Sequence, residues 1–366
     1  METFELIPPY ITDRLKLIVG LGASHVEEAK SAQQRVLIFH YDSTDDEERA
    51  HVSPLRGVLE SGGNCLVVRI WRGGSRWWNL TQAKDVQALA AAELQGYQWA
   101  HKALGRKVPK LLYASKENES PWALFEYVGH RSKRFNDKSF VYDQYWTETM
   151  IKVRDEFGFH ELHPRWGRVP VKESWLYTKR VLHQVTIPLH QYFYQNEHVV
   201  GSDEVRLLCG DLGSETSGYT YMKMVRSYRK AFVAMKESLE CTSNKDTRLS
   251  QAIDALEKCI KELEKEHVPP LPCVLLHMDC QPQNLVFAKT LNEEDPWCVS
   301  SILDWEDCAY GDPRFEILLL GRKVSFVEIL EVLECNVVYS DGFFRSVRTD
   351  DRPSCFGTTT GIFFPT

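Results

Sequence analysis

Nowhere in the 366-residue sequence does an apolar run approach the roughly 20 residues that a membrane span requires. Its ten cysteines include no C-x-x-C pair and no fixed spacing, so neither metal-ligand spacing nor a disulfide framework is legible in them. A basic excess is also missing. The 44 Lys and Arg stand against 51 Asp and Glu, for a net charge of -7 and a pI near 6.0. That balance leaves no footprint for nucleic acid or another polyanion. An acidic surface suits a cationic substrate, although the same charge also serves solubility. The N-terminus, METFELIPPY, has no basic segment leading into an apolar one, which argues against a signal peptide. Reduced thiols and a cytoplasmic setting are expected. His160 and His163 have an H-x-x-H look, but no helix presents them and no third ligand is in view; a substrate-side loop or packed connector is the better reading. The chain is 43% hydrophobic and 26% charged, ordinary for a globular protein and long enough for two cores.

The informative stretch is Val274–Pro313. An apolar run, Val274-Leu275-Leu276, delivers His277-Met278-Asp279, and five residues later Asn284 opens a second β-like run. A polar break over Ala288–Trp297 follows. Then Val299–Leu303 reads as a strand ending on Asp304. Three oxygen-bearing side chains thus stand at the ends of short strands. Phosphoryl transfer needs such a set: one carboxylate takes the proton of an attacking hydroxyl, and a carboxamide with a second carboxylate holds Mg²⁺ on nucleotide phosphates. The H-x-D-x-x-x-x-N spacing, followed by an Asp at a strand end, is the kinase pairing of catalytic loop and metal loop.

His277-Met-Asp279-Cys-Gln-Pro-Gln-Asn284, Ile302-Leu-Asp304-Trp-Glu306, and Gly311-Asp312-Pro313 with Glu316 three residues on resemble the aminoglycoside phosphotransferase family. The resemblance is strongest over residues 274–316 and extends loosely over 15–322. It implies an α+β, bilobal, protein-kinase-like fold: a small antiparallel β lobe with one helix, and a larger, mostly helical lobe. The corresponding division is 1–128 for nucleotide binding, 129–324 for catalysis and substrate, and 325–366 as an atypical tail. It further implies Asp279 as the catalytic base, Asn284 and Asp304 as Mg²⁺ ligands, ATP as the donor and a small hydroxyl-bearing molecule as the acceptor. No nucleic-acid or membrane partner is implied, and the oligomeric state stays open.

Along the chain, Leu15–Val19 reads as a first strand leading into small residues. The family's phosphate-covering turn lies between the first two strands, which makes Gly20, Gly22 and Ser24 its candidates. Gly62-Gly63 is the alternative, in a turn between Leu55–Leu59 and Cys65–Trp71. Arg35–Tyr41 reads as the second strand, and Asp42–Arg49 as a solvated loop. Arg69 is a lone cation in an apolar strand, either outward-facing on an edge or the cation that pairs the α- and β-phosphates. Asp85–Leu104 reads as a helix, with Glu93 where the partner of that cation belongs. Val108–Ser115 and Trp122–Val128 read as strands, the second leading into a hinge whose backbone, over Glu126–Val128, would meet adenine. Tyr142–Phe157, Glu173–Gln195, Gly218–Leu239 and Thr247–Glu266 read as helices.

Three positions depart from the family pattern. Met278 stands where a glycine is usual, Gln281 where His or another polar residue is common, and Glu316 where an Asp is usual. The residues after Ser325–Cys335 carry no sustained helical period, where family members continue with helices that wall the acceptor pocket. Two readings follow: a small-molecule kinase, or a catalytically weak kinase-shaped binding module. Retention of Asp279, Asn284 and Asp304 together favours the first.

Overall fold

The computed structural model describes residues 7–19, 23–29, 34–41, 65–72, 86–116, 119–128, 180–196, 200–209, 220–240, 271–280, 284–289 and 297–320, with further helical residues between 250 and 265. The architecture is mixed α+β. Among the described residues the main sheet has five strands, β1 (His25–Ala29), β2 (Arg35–His40), β3 (Cys65–Ile70), β4 (Leu111–Ala114) and β5 (Trp122–Glu126), in the order β1-β2-β3-β5-β4. Every neighbouring pair is antiparallel. Helix α1 (Pro9–Val19) precedes the sheet and α2 (Val86–Leu104) follows β3.

The two faces of the sheet follow from the period of two. Leu66, Val68 and Ile70 of β3 share a core with Ile11, Leu15 and Val19 of α1. Trp71, Ala123 and Phe125 belong to a different core, built with Ala92, Tyr97 and Trp99 of α2. Arg69 has the parity of Trp71, so it faces the second core. The edge-strand reading of Arg69 is excluded, because β3 is paired on both sides.

Leu15–Val19, expected as a strand, is instead the end of α1. Ile11, Leu15 and Val19 are buried at intervals of four, a helical stripe that also reads as an apolar run when only its last five residues are considered. The first strand is His25–Ala29 and the second Arg35–His40, so the stretch before residue 25 does not connect the first two strands. Gly20, Gly22, Gly62-Gly63, Asp42–Arg49, Leu55–Leu59, Tyr142–Phe157, His160, His163, Gln281 and the 325–366 tail lie outside the described residues.

The remaining helices are α3 (Ile187–Gln195), entered through a π turn at Leu182–Thr186, then α4 (Ser202–Cys209) and α5 (Tyr221–Glu240). None of the described helices is long and apolar enough to cross a membrane. Two short ladders follow. β6 (Val274–Leu276) pairs with β9 (Ala309–Gly311), and β7 (Leu285–Lys289) pairs with β8 (Trp297–Ile302). Helix α6 (Pro313–Leu320) closes the described chain. Its start explains the Gly-Asp-Pro motif. Asp312 caps the helix by accepting from the Arg314 amide at 3.0 Å, and Pro313 takes the first helical position, where no N–H is needed.

One glycine fixes how α2 meets the catalytic segment. A Cβ on Gly96 would collide with Cys308 Sγ and stand 3.5 Å from Trp305 Cβ. Cys308 is fully buried, so it has little room to give. Gly96→Ala is therefore expected to destabilise the protein by about 1–3 kcal/mol, the usual cost of overpacking. An unchanged melting temperature would show that the 305–308 loop adjusts freely.

Candidate active site

Helix α2 presents Glu93, Gly96 and Tyr97 on one face, three and four residues apart. That face lies against both β3 and the loop after β8. Glu93, fully buried, accepts the Trp71 indole N–H at 2.7 Å and forms an ion pair with Arg69, whose Nε lies 3.1 Å from its Oε1. Tyr97 accepts the Asp304 amide at 3.1 Å. Asp304 is one of two non-glycine residues with positive φ in the described backbone, at 62°, a conformation that Asp tolerates better than most. The sharp turn aims its carboxylate back at β3.

Arg69 is the hub. Its Nη2 lies 2.9 Å from both Asp304 Oδ1 and Glu306 Oε2. One guanidinium therefore faces three carboxylates, Glu93, Asp304 and Glu306. Burial works against the charge on Arg69, but Glu93, then Asp304, Tyr97 and Glu306 outweigh it and raise its pKa. For the carboxylates the excess of like charge shows. Burial pushes Glu93 up to about 8, offset only in part by Arg69. Burial, then the charge of Asp304, pushes Glu306 up to about 7.

The catalytic loop is held from below. Asn284 Nδ2 donates to Asp279 Oδ2 at 2.8 Å and to the Asp279 carbonyl at 3.0 Å. The Asn284 carbonyl accepts the Leu303 amide at 2.7 Å, which ties the Asp279 and Asp304 loops together. His277 Nε2 lies 2.8 Å from the Leu303 carbonyl and its Nδ1 lies 3.2 Å from the Asp279 amide. Only the tautomer protonated at Nε2 satisfies both, since a carbonyl can only accept and an amide N–H can only donate. The His277 ring also meets Trp305 edge-on at 4.5 Å.

Glu316 closes the arrangement. Its Oε1 accepts the amides of His277 at 2.7 Å and Met278 at 3.1 Å, and its Oε2 lies 2.7 Å from His190 Nε2. Met278 has φ 69°, the left-handed region that favours glycine. A buried methionine there stores about 1–3 kcal/mol of backbone strain. The grip of Glu316 on its amide helps hold that conformation. Cys280 sits in the same loop, and burial, then the Glu316 charge, pushes its thiol well above the usual range. It is an inert packing group, and Cys273, Cys298 and Cys308 on the same segment likewise form no disulfide.

Five expected site residues thus come together: Arg69, Glu93, Asp279, Asn284 and Asp304. Ser24 does not join them. It precedes β1 and its amide and hydroxyl both donate to the His40 carbonyl, at 2.8 and 3.1 Å, at the strand ends remote from Arg69. At the Arg69 end stands Gln34, which accepts the Arg72 amide at 3.1 Å and bonds to Glu306. At the opposite end, the Glu126 amide is already engaged by the Lys110 carbonyl at 3.0 Å, so that one group is excluded from base recognition. Val128, two residues on, is half-buried. Glu306, Gln34, Tyr97 and Trp71 carried no assigned role in the sequence reading; the acid two residues after Asp304 was the available signal.

Residues 229–332 match the model of the phosphotransferase enzyme family. No curated protein matches the chain. Among solved structures, a macrolide 2'-phosphotransferase from Brachybacterium faecium is 15% identical, with 92% of this chain and 83% of that one covered and a TM-score of 0.45. The GDP and kanamycin complex of APH(2")-IIia gives 10% identity, 89% and 81% coverage and a TM-score of 0.46. A choline/ethanolamine kinase family protein from Mesorhizobium loti gives 14%, 89%, 74% and 0.40. Over residues 229–332, the stretch that carries Asp279, Asn284 and Asp304, the chain is similar to the phosphotransferase enzyme family.

Proposed function

We propose that this protein is an ATP-dependent kinase of a small hydroxyl-bearing molecule. Residues 1–128 serve as the nucleotide lobe, residues 129–324 as the catalytic and acceptor lobe of a bilobal fold, and the setting is cytoplasmic. The observation that carries the reading is the convergence of Arg69, Asp304 and Glu306 within 2.9 Å contacts, beside a loop that orients Asp279.

The residues fit a divalent cation. Asp304 Oδ1 is buried with no hydrogen-bond partner among the described residues beyond its ion pair with Arg69, and three acids share that one cation. Asn284 spends its amide hydrogens on Asp279, so its Oδ1 is the atom a cation would take. No three His, Cys, Asp or Glu side chains among the described residues form a cage by themselves. Mg²⁺ bound by Asn284 and Asp304 would be completed by phosphate oxygens and water, its usual habit, and would neutralise charge on the transferred group.

In the working complex Arg69 turns its guanidinium to the α- and β-phosphates while Glu93 and the Trp71 indole keep its stem in place. Asp279 accepts the proton of the acceptor hydroxyl and aligns it for in-line attack. His277 and Glu316 touch neither reactant; they fix the loop on which Asp279 stands. The hinge backbone near Val128 meets the base. Catalysis then rests on positioning and charge.

Thermal stabilisation tests the site without knowledge of the acceptor. Mg·ATP at ~100 times its dissociation constant is expected to add about 2.7 kcal/mol. ATP alone should add less, and Asp304→Ala should abolish the Mg²⁺-dependent part. No shift with a folded wild-type protein would favour the non-catalytic binding module.

A further inference from the structure

The face of the sheet that carries Arg69 bears a second polar group towards the other strand ends. The register aligns His25 with His40 and His40 with Cys65; two residues along, it aligns Glu27 with Ile38 and Ile38 with Val67. Residues two apart share a face, so His25, Glu27, His40, Cys65 and Val67 all lie on the side of Arg69, opposite α1.

Glu27 is the anomaly. It sits on an edge strand yet is only 8% exposed. Its Oε1 lies 3.4 Å from His25 Nε2 and 3.7 Å from His40 Nε2, too far for strong bonds. Its Oε2 is buried and has no hydrogen-bond partner among the described residues. Cys65, 3.2 Å from His40 Nδ1, adds no charge of its own, since burial and then Glu27 push its thiol up to about 11. Nor do these side chains converge as a metal cage. Packing does not ask for a carboxylate here, because an apolar side chain would fill the place without the desolvation cost. A buried acceptor with nothing donating to it is what a site for a ligand's N–H or O–H requires.

Distance then selects which part of a ligand. Glu27 is offset from Arg69 by two residues and two strands, about 7 Å along and about 10 Å across the sheet. With Arg69 on the phosphates, that span reaches the nucleoside and not the triphosphate. Val67, half-buried between them, offers an apolar surface for a ring. We propose that Glu27 is a nucleoside-reading residue, whose carboxylate accepts a hydrogen bond from a sugar hydroxyl or a base amino group of the bound nucleotide. This rests on the reading of Arg69 as the phosphate-binding cation.

Calorimetry on the full chain with Mg²⁺ and ATP, 2'-deoxy-ATP, GTP or inorganic tripolyphosphate tests it. In Glu27→Leu, ATP affinity is expected to fall roughly ten-fold or more, as a lost hydrogen bond to a charged group implies, while tripolyphosphate affinity holds. Glu27→Gln, which keeps a neutral acceptor, should fall in between. A matching loss for 2'-deoxy-ATP in wild type, not additive with the variant, assigns the sugar. An ATP-to-GTP difference that Glu27→Leu erases assigns the base. Unchanged ATP affinity in Glu27→Leu, or an equal fall for tripolyphosphate, overturns the proposal. So does a wild type that binds tripolyphosphate as tightly as ATP, with no variant needed. A wild type that binds neither removes the nucleotide site itself, a separate failure.

Discussion

Asp279→Ala is expected to slow phosphoryl transfer by about 10²–10⁴-fold, the range a positioned general base supplies. Binding of Mg·ATP should change little. The separation follows from where the carboxylate stands. Asp279 is half-buried, its Oδ2 is oriented by Asn284 at 2.8 Å, and its backbone is fixed by His277 and Asn284. None of these bonds holds Arg69 or Asp304, so removing the side chain leaves the phosphate-facing charges in place. Loss of γ-phosphate from ATP, measured over a pooled set of hydroxyl-bearing metabolites, reads the effect before a single acceptor is known. A variant as fast as wild type over the same pool would remove Asp279 from the reaction. A variant that also loses the Mg·ATP melting shift would make it part of nucleotide binding instead.

The site was legible where its chemistry is local and its secondary structure unambiguous. The Asp279 loop and Asp304 follow short apolar strands that end in polar residues, and both fall within residues 274–316. The Arg69–Glu93 pair was legible because α2 has a helical composition over its whole length and follows the strand that bears the cation. The first strand was not. His25-Val-Glu-Glu-Ala29 offers one core residue, Val26, and turns His25 and Glu27 to the face shared with Arg69. A strand with polar residues on its second face and a single apolar residue on its first lacks the apolar alternation by which half-buried strands are recognised. The apolar end of α1 supplied a false one nearby. Contacts of long range were also beyond reach: Glu306 meets Arg69 across 237 residues, and Tyr97 meets Asp304 across 207. Which acid would share the cation depends on how α2 packs, and Gly96 sets that packing.

Glu316 has the largest structural consequence. Sequence reading placed it as a carboxylate one methylene longer than usual; the fold shows what the length spans, from the start of α6 to the amides of His277 and Met278 and to His190. Glu316→Ala would leave two buried amides and a buried imidazole without their acceptor. It is expected to cost about 3–5 kcal/mol, as for other broken buried pairs. Glu316→Gln should cost less, since an oxygen remains for the amides. The pH dependence carries the sign. Burial alone would raise the Glu316 pKa, but the hydrogen bond and charge of His190, the His277 ring and the Met278 amide together bring it below the ordinary 4.5. A carboxylate with a depressed folded pKa contributes stability that is present above its unfolded value and is lost as pH falls through the folded one. Denaturant titrations from neutral pH down through the carboxylate range should therefore show a shallower acid limb in Glu316→Gln than in wild type. Parallel limbs would mean that Glu316 is not held ionised by the loop. Because the same carboxylate pins Met278 in its left-handed conformation, phosphoryl transfer in folded Glu316→Ala should fall along with stability, and Met278→Gly, which relaxes that backbone, should restore part of the rate.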